Sequence, residues 1–356
     1  MIEKLMRHLP PKTAAYIENP ENRRYYTGFT SSNGFLFVTS EKAIFYTDFR
    51  YITAAEKFVD KRIEVRLLDR NRFEIIKELV TCFGIETLLI EENYISYASA
   101  IRLEKAISPC RIQEEGDEYT VLFRQVKTAN EIEKIRKAQV IADRGFDFLC
   151  NLIVERKTEL SEKEAAAKLE FFMKENGAED SAFSVIAAFG ENSAIPHAVP
   201  TDRKIKKGDA LLFDYGAKVD GYCSDITRTV FFEEASEKQK HIYDIVLSAQ
   251  KKALDAVSAG KTGKEIDAVA RDFISSFGFG TLFGHSLGHS VGLDIHESPN
   301  FSPSETDKIR ENNVITVEPG IYIEGEFGVR IEDLVVVGVD GCENLTSSKK
   351  ELMILS

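Results

Sequence analysis

No apolar run in the 356-residue chain approaches the ~20 residues that a membrane-spanning helix needs. The first residues, MIEKLMRHLPPK, lack the apolar stretch of a secretory signal, so a cytoplasmic protein is expected. Cysteine is scarce. The five residues, Cys82, Cys110, Cys150, Cys223 and Cys342, are scattered, odd in number and without a C-x-x-C spacing. That pattern argues against a disulfide framework or a zinc ribbon and fits reduced thiols. A basic stripe is also missing. A net charge of −12 argues against a nucleic-acid footprint and favours solubility. Low-complexity tracts and short-period repeats are absent, which excludes a solenoid.

What is present suggests two domains. In the first third, apolar runs at 13–18, 34–39, 43–48, 63–68 and 87–92 read as strands. Helical patterns lie near 50–59, 72–82 and 96–106. Alternation of this kind predicts a small mixed α/β layer domain. The polar stretch RIQEEGDEYT (111–120) marks the boundary, giving domains 1–120 and 121–356. Beyond it, Thr128-x-x-Glu131, Ser161-x-x-Glu164, Ser236-x-x-Gln239 and Thr262-x-x-Glu265 each open a periodic apolar pattern. Gly177, Gly260 and Gly278 stand where three of those patterns stop. Box, periodic face and terminal glycine together predict helices. Strands are expected at 184–189, 210–219, 222–232, 313–318 and 329–339. The fold class is therefore α+β, with helices packed on a mainly antiparallel sheet.

Two strand pairs carry acids where a buried strand should not. In LLFDYGAKVDGYCSDITRTV (211–230), Asp220-Gly221 is a two-residue hairpin turn signal. That turn places Val219 opposite Tyr222 and Asp214 opposite Thr227. Asp225 then shares the face of Thr227, and the two aspartates become diagonal neighbours with Cβ atoms roughly 5.5–8 Å apart. Near the other end, a reversal centred on Gly325 sets Glu318 opposite Glu332, with Pro319-Gly320 expected to introduce a bulge. Four carboxylates converging in an apolar core repel unless protons or cations lie between them. Divalent metal is the economical explanation.

Only six histidines exist, and His285, His289 and His296 cluster in FGHSLGHSVGLDIHESP (283–299). Glycines in that stretch argue for a turn-rich or strand-like segment rather than a helix. Oxygen ligands with one imidazole suit Mn²⁺, Co²⁺, Zn²⁺ or Fe²⁺ better than Ca²⁺. Several carboxylates able to bridge point to two ions about 3.5–4 Å apart, the hydrolytic two-metal arrangement. Each residue has a plainer reading. A hairpin Asp is usually solvated, Glu318 before Pro-Gly can be a turn acid, and a lone His in a glycine-rich loop is more often packing. His241 sits in a charged helix and reads as structural, and His8 is given no role. The joint order of the set and its two convergent geometries outweigh these.

The ordered set Asp214, Asp225, His289, Glu318 and Glu332, within FDYGAKVDGYCSDITRT, GHSLGHSVGLDIHE, VEPGIYI and GVRIEDL, resembles the five-ligand site of the pita-bread metallopeptidases of family M24. This group includes methionine aminopeptidases, aminopeptidase P, prolidase and creatinase. The resemblance runs from about residue 125 onward. It implies that Asp225 and Glu332 bridge two ions, that Asp214 completes one, and that His289 and Glu318 complete the other. A water or hydroxide between the ions would be the nucleophile, with Glu318 as proton shuttle. His197 in NSAIPHAVP and His296 match the substrate-contacting histidines, and His285 matches a further one of the Xaa-Pro branch. Arg330 is read either as holding a ligand carboxylate or as a structural ion pair.

The preceding α/β domain and EN-x-x-Y-YTGF (21–29) resemble the creatinase/prolidase N-terminal domain, whereas methionine aminopeptidases typically lack such a domain. The resemblance therefore implies hydrolysis of Xaa-Pro bonds, leaning to a dipeptidase with an aminopeptidase as the alternative. Phe183 is a candidate wall for the proline ring. A homodimer, Mn²⁺ (with Co²⁺ or Zn²⁺ possible) and peptides with proline at the second position are the implied partners, with no nucleic acid or membrane. A binding module that kept the fold but lost catalysis is the competing reading, against which the complete ligand set argues.

Overall fold

The computed structural model describes residues 1–114 and 116–356. Glu115, in the polar stretch read as the boundary, lies outside them. The chain divides into two compact units, Met1–Arg124 and Gln125–Ser356.

In the first unit, strands Thr13–Ile17, Phe35–Thr39, Ala43–Thr47, Glu64–Leu67, Thr87–Ile90 and Arg111–Gln113 form one six-stranded sheet. Its order is 64–67, 43–47, 35–39, 13–17, 87–90, 111–113, with antiparallel pairs in the middle and parallel pairs outward. Central strands such as Phe35–Thr39 are buried throughout, as unbroken apolar runs require when both faces are covered. Helices Arg72–Cys82 and Tyr97–Ile107 pack on it, with Ile75, Ile76, Leu79 and Leu103 in the core. Four elements were not expected: helices Ile2–His8 and Pro20–Thr27, strand Arg111–Gln113 within the polar stretch, and helix Gly116–Gln125 in and beyond it.

The second unit has two hydrophobic cores. In one, helices Ala129–Arg156 and Glu162–Glu175 cover the sheet of strands Ile186–Phe189, Ala210–Tyr215, Ile226–Phe232 and Ile354–Leu355. In the other, helices Glu237–Ala256 and Gly263–Ser276 cover the sheet of strands Gly288–Ser290, Glu297–Phe301, Val314–Val317, Asp333–Val337 and Cys342–Asn344. Thr128, Ser236 and Thr262 form reciprocal capping boxes. Ser161 accepts from the Glu164 amide at 3.2 Å, but the Glu164 carboxylate turns to Arg156 at 2.8 Å instead of returning to the cap.

Register decides where the acids go. Val219 pairs with Tyr222 and Asp214 with Thr227 across the first hairpin. Asp220 and Gly221 form the turn with φ of 48° and 81°, the left-handed pair that such a turn needs. In the second pair, Val317 lies opposite Asp333 and Gly320 opposite Arg330. The register is therefore the same on both sides of Pro319, and Glu318 faces Glu332 without a net insertion. Between those ladders the two backbones part. The Glu318 amide donates to Leu287 O at 2.8 Å and the Glu332 amide to Thr227 O at 3.1 Å.

Candidate active site

Both hairpins and the strand Gly288–Ser290 meet at the floor of one cavity of about 610 Å³. Gly288 allows this approach, because a Cβ there would lie 1.9 Å from Thr316 O. Every residue selected from the sequence reaches that cavity: Asp214, Asp225, His289, Glu318 and Glu332 at its acidic end, with His197, His285, His296, Arg330 and Phe183 on the walls. The two remaining histidines lie elsewhere. His241 sits edge-on to Phe277, and His8 bonds Lys4 O.

Asp225, His289 and Glu332 form the tightest group, each offering a ligand atom within 4.8 Å of the others. The His289 Nε2 atom is 3.5 Å from both Asp225 Oδ2 and Glu318 Oε1. Its Nδ1 faces Ser290 O at 3.2 Å. A carbonyl only accepts, so Nδ1 carries the proton and the Nε2 lone pair faces two carboxylates. Burial first, then His296, depresses the His289 pKa to about 4, which keeps the ring neutral. Asp214 stands slightly apart, with Oδ2 held by Arg330 at 2.5 Å.

Electrostatically this group is unfinished. Burial, then Glu332, raises the pKa of Asp225 well above the ordinary range. Burial, then Glu318, does the same for Glu332. Glu318 is pushed up to about 8, chiefly by burial. Asp214 Oδ1 and Asp225 Oδ1 are buried without a hydrogen-bond partner. Orphaned anionic oxygens around a lone-pair nitrogen are costly in a protein interior unless a cation joins them. The donor set of oxygens and one imidazole therefore fits divalent metal.

Surrounding bonds fix the donors. Thr227 Oγ1 donates to Glu332 Oε2 at 2.7 Å and accepts from Arg330 Nε at 3.0 Å. Arg330 Nη1 donates to Tyr322 Oη at 2.7 Å. Burial opposes the charge on Arg330, but Tyr322, Asp214 and Glu318 outweigh it and hold its pKa high. His285 places Nδ1 2.8 Å from Ser286 O and Nε2 2.9 Å from Tyr322 Oη. It is thus a neutral acceptor for the phenol, consistent with a pKa lowered to about 4 by burial and then Arg330. Behind the floor, Arg228 is fully buried. It donates to the carbonyls of Thr227, Lys349 and Ser348 at 2.8–3.0 Å, to Glu332 O, and to Asp333 Oδ1 at 2.8 Å.

Tyr322, Thr227 and Arg228 were not assigned roles from the sequence. For Tyr322 the signal existed: it has the strand parity of Glu318 and Arg330, so the arithmetic that selected Glu332 also selects it. Thr227 was placed opposite Asp214 but read only as a register mark. Arg228 points to the opposite face, which carries no comparable acid pattern in the sequence.

The model of Metallopeptidase family M24 matches residues 133–338, and that of the Creatinase/Prolidase N-terminal domain matches residues 12–118. A curated relative named Xaa-Pro dipeptidase, from Pyrococcus furiosus, is 39% identical over 356 residues, covering 99% of each chain. Among solved structures, an Xaa-Pro dipeptidase from Bacillus anthracis superimposes with a TM-score of 0.94 at 37% identity, covering 99% of both chains. An X-Pro aminopeptidase from Thermotoga maritima gives 0.90 at 38% identity, over 99% of this chain and 100% of that one. These matches carry the expected architecture: a creatinase-type N-terminal domain followed by a pita-bread domain, α+β throughout.

Proposed function

Because the chain belongs to metallopeptidase family M24, we propose that it hydrolyses Xaa-Pro peptide bonds, leaning to an Xaa-Pro dipeptidase. The carrying observation is the group Asp225, His289 and Glu332, with orphaned carboxylate oxygens, at the floor of a cavity with apolar walls. Asp214, Asp225, His289, Glu318 and Glu332 would hold two divalent ions, Mn²⁺ foremost, with Co²⁺ or Zn²⁺ as alternatives. When bound, such ions neutralise the clustered anions and make a water acidic enough to attack a carbonyl at neutral pH.

The chain's own residues supply the rest. Phe183, Ile186, Pro196, Val199 and Ile295 line the cavity and offer an apolar surface to a proline ring. His197 and His296 donate to the scissile carbonyl oxygen as it gains charge. Burial, then His197, lowers the His296 pKa, so it donates as a neutral imidazole. Glu318, beside His289 Nε2 at 3.5 Å, is the carboxylate placed to receive the proton of the attacking water. The water oxygen joins the carbonyl carbon and its proton goes to Glu318. Glu318 returns that proton to the proline nitrogen as the C–N bond breaks. A nitrogen anion is too basic to depart, so the proline nitrogen leaves as an amine only with this proton.

One observation favours the aminopeptidase alternative. Among the described residues lining the cavity, Arg330 is the one Lys or Arg, and it is already engaged by Asp214, Tyr322 and Thr227. A dipeptide's terminal carboxylate would have to find its partner elsewhere. Cleavage of Xaa-Pro dipeptides against Xaa-Pro tripeptides, with Mn²⁺, Co²⁺ or Zn²⁺ and after chelation, decides the branch. Absence of metal-dependent cleavage of either overturns the reading. The same reading includes a homodimer in the cytoplasm, checked by light scattering and fractionation. Among the described residues no helix is long and apolar enough to cross a membrane.

A further inference from the structure

One buried carboxylate ties down both ends of the segment that carries His197. Glu162, in the first turn of helix Glu162–Glu175, is fully buried. Its Oε1 accepts from the Phe189 amide at 2.7 Å and from Asn192 Nδ2 at 2.9 Å. Its Oε2 accepts from Asn192 Nδ2 at 3.1 Å, the Thr201 amide at 2.8 Å and Thr201 Oγ1 at 2.5 Å. Phe189 and Asn192 precede the segment 195–200 and Thr201 follows it.

That segment has little burial of its own. Ile195 is 55% exposed and Val199 80% exposed, and His197 between them is exposed too. Yet Pro196, His197, Ala198, Val199 and Pro200 all line the cavity. Inside the segment, the Ala198 amide bonds Ile195 O at 3.1 Å and Arg330 Nη1 reaches Pro196 O at 3.4 Å. An exposed span with few internal bonds takes its position from its anchors. Here both anchors share a single acid, and every donor around it is satisfied.

We propose that Glu162 is a positioning residue for the reaction: it holds segment 195–200 so that the His197 imidazole meets the scissile carbonyl. This rests on the role given to His197 above. The charge matters as well as the shape. Glu162→Gln is nearly isosteric, but its amide group turns a donor toward Thr201 and Asn192, which are themselves donors. A small displacement of a positioned donor is enough to slow the chemical step.

The test uses the full-length, Mn²⁺-loaded protein with Glu162→Gln and, in case that variant does not fold, Thr201→Val, which removes one bond to the same carboxylate. Metal content should stay at the unmodified level. The kcat should fall about 10- to 100-fold, with KM changed by less than about threefold. In a His197→Ala background the further loss from Glu162→Gln should shrink to about twofold or less, because residues acting through one another are not additive. A purely structural role predicts that the two losses multiply, and that result overturns the proposal. Amide exchange supplies a readout independent of turnover. Residues 189–201 should exchange faster in either variant while 313–333 do not change. Unchanged exchange in 189–201 overturns the proposal even if the unmodified chain cleaves no Xaa-Pro peptide. In that case the functional reading fails separately, and faster exchange still upholds the anchoring.

Discussion

Arg330 donates from Nη2 to Oδ2 of Asp214 at 2.5 Å, while Oδ1 of the same aspartate is buried without a partner. One oxygen is thereby committed to the protein and the other is left for something else. The same guanidinium bonds Thr227 and Tyr322, so its planar fork sets the orientation of three groups at once. A lysine presents a point charge and cannot reproduce that geometry. Arg330→Lys should therefore lower kcat/KM about 100-fold while the protein stays folded. Steady-state kinetics beside a thermal melt checks this. Unchanged turnover would show that the fork is only a structural ion pair.

Asp225 contributes an oxygen with no partner and lies among Glu332, Asp214 and Glu318. Replacing it by Asn removes a negative charge and leaves an amide that cannot bridge two cations. Asp225→Asn should abolish detectable Xaa-Pro hydrolysis and reduce metal content, measured by elemental analysis after dialysis. A variant with both ions and full turnover refutes the bridging role.

His296 touches the metal end only through its ring, packed edge-on to His289 at 4.4 Å between centroids. It supplies no atom to the tight group. His296→Ala should leave metal content intact and lower kcat about 100-fold, the usual cost of one donor to a developing oxyanion. Loss of metal in this variant would instead make His296 a ligand.

Metal removal should expose a pH dependence of defined sign. Glu318 is raised from 4.5 to about 8, and Asp225 and Glu332 are raised as well. Between these limits the folded, metal-free chain binds more protons than the unfolded chain. Stability then falls as pH rises, by about 1.4 kcal/mol per pH unit for each such group. The chelated protein should have a lower Tm near pH 8 than near pH 5, and saturating Mn²⁺ should remove most of that difference. Equal melting points for the chelated protein at both pH values would contradict the burial of these acids as anions in need of a cation.

Much of this site could be read from the sequence because strand parity is strict. Once Asp220-Gly221 is taken as a turn, the pairing of Asp214 with Thr227 follows, and it is the pairing observed. Gly325 did the same for Glu318 and Glu332, although the expected bulge at Pro319 adds no residue to the register. Helices with a reciprocal cap, such as those after Thr128 and Thr262, announce themselves locally. Glu162 does not. Its partners lie 27–39 residues away, and nothing in the neighbouring sequence distinguishes it from the solvent-facing acids around it. Helix Pro20–Thr27 was hidden for a related reason: its buried Asn22 and Arg23 read as a solvated polar face, whereas Asn22 bonds Glu91, far along the chain, and Arg23 bonds Ser31 beyond the helix end.

Arg228 ties the back of the acidic floor to residues that come much later in the chain, bonding the carbonyls of Ser348 and Lys349, while Ile354–Leu355 add a parallel strand beside Phe231 and Phe232. During vectorial synthesis Asp225 and Glu332 emerge before these contacts exist, and a buried guanidinium without its acceptors is strongly disfavoured. Burial of Arg228 behind the acidic floor therefore depends on the stretch 346–355 folding back onto strand Ile226–Phe232.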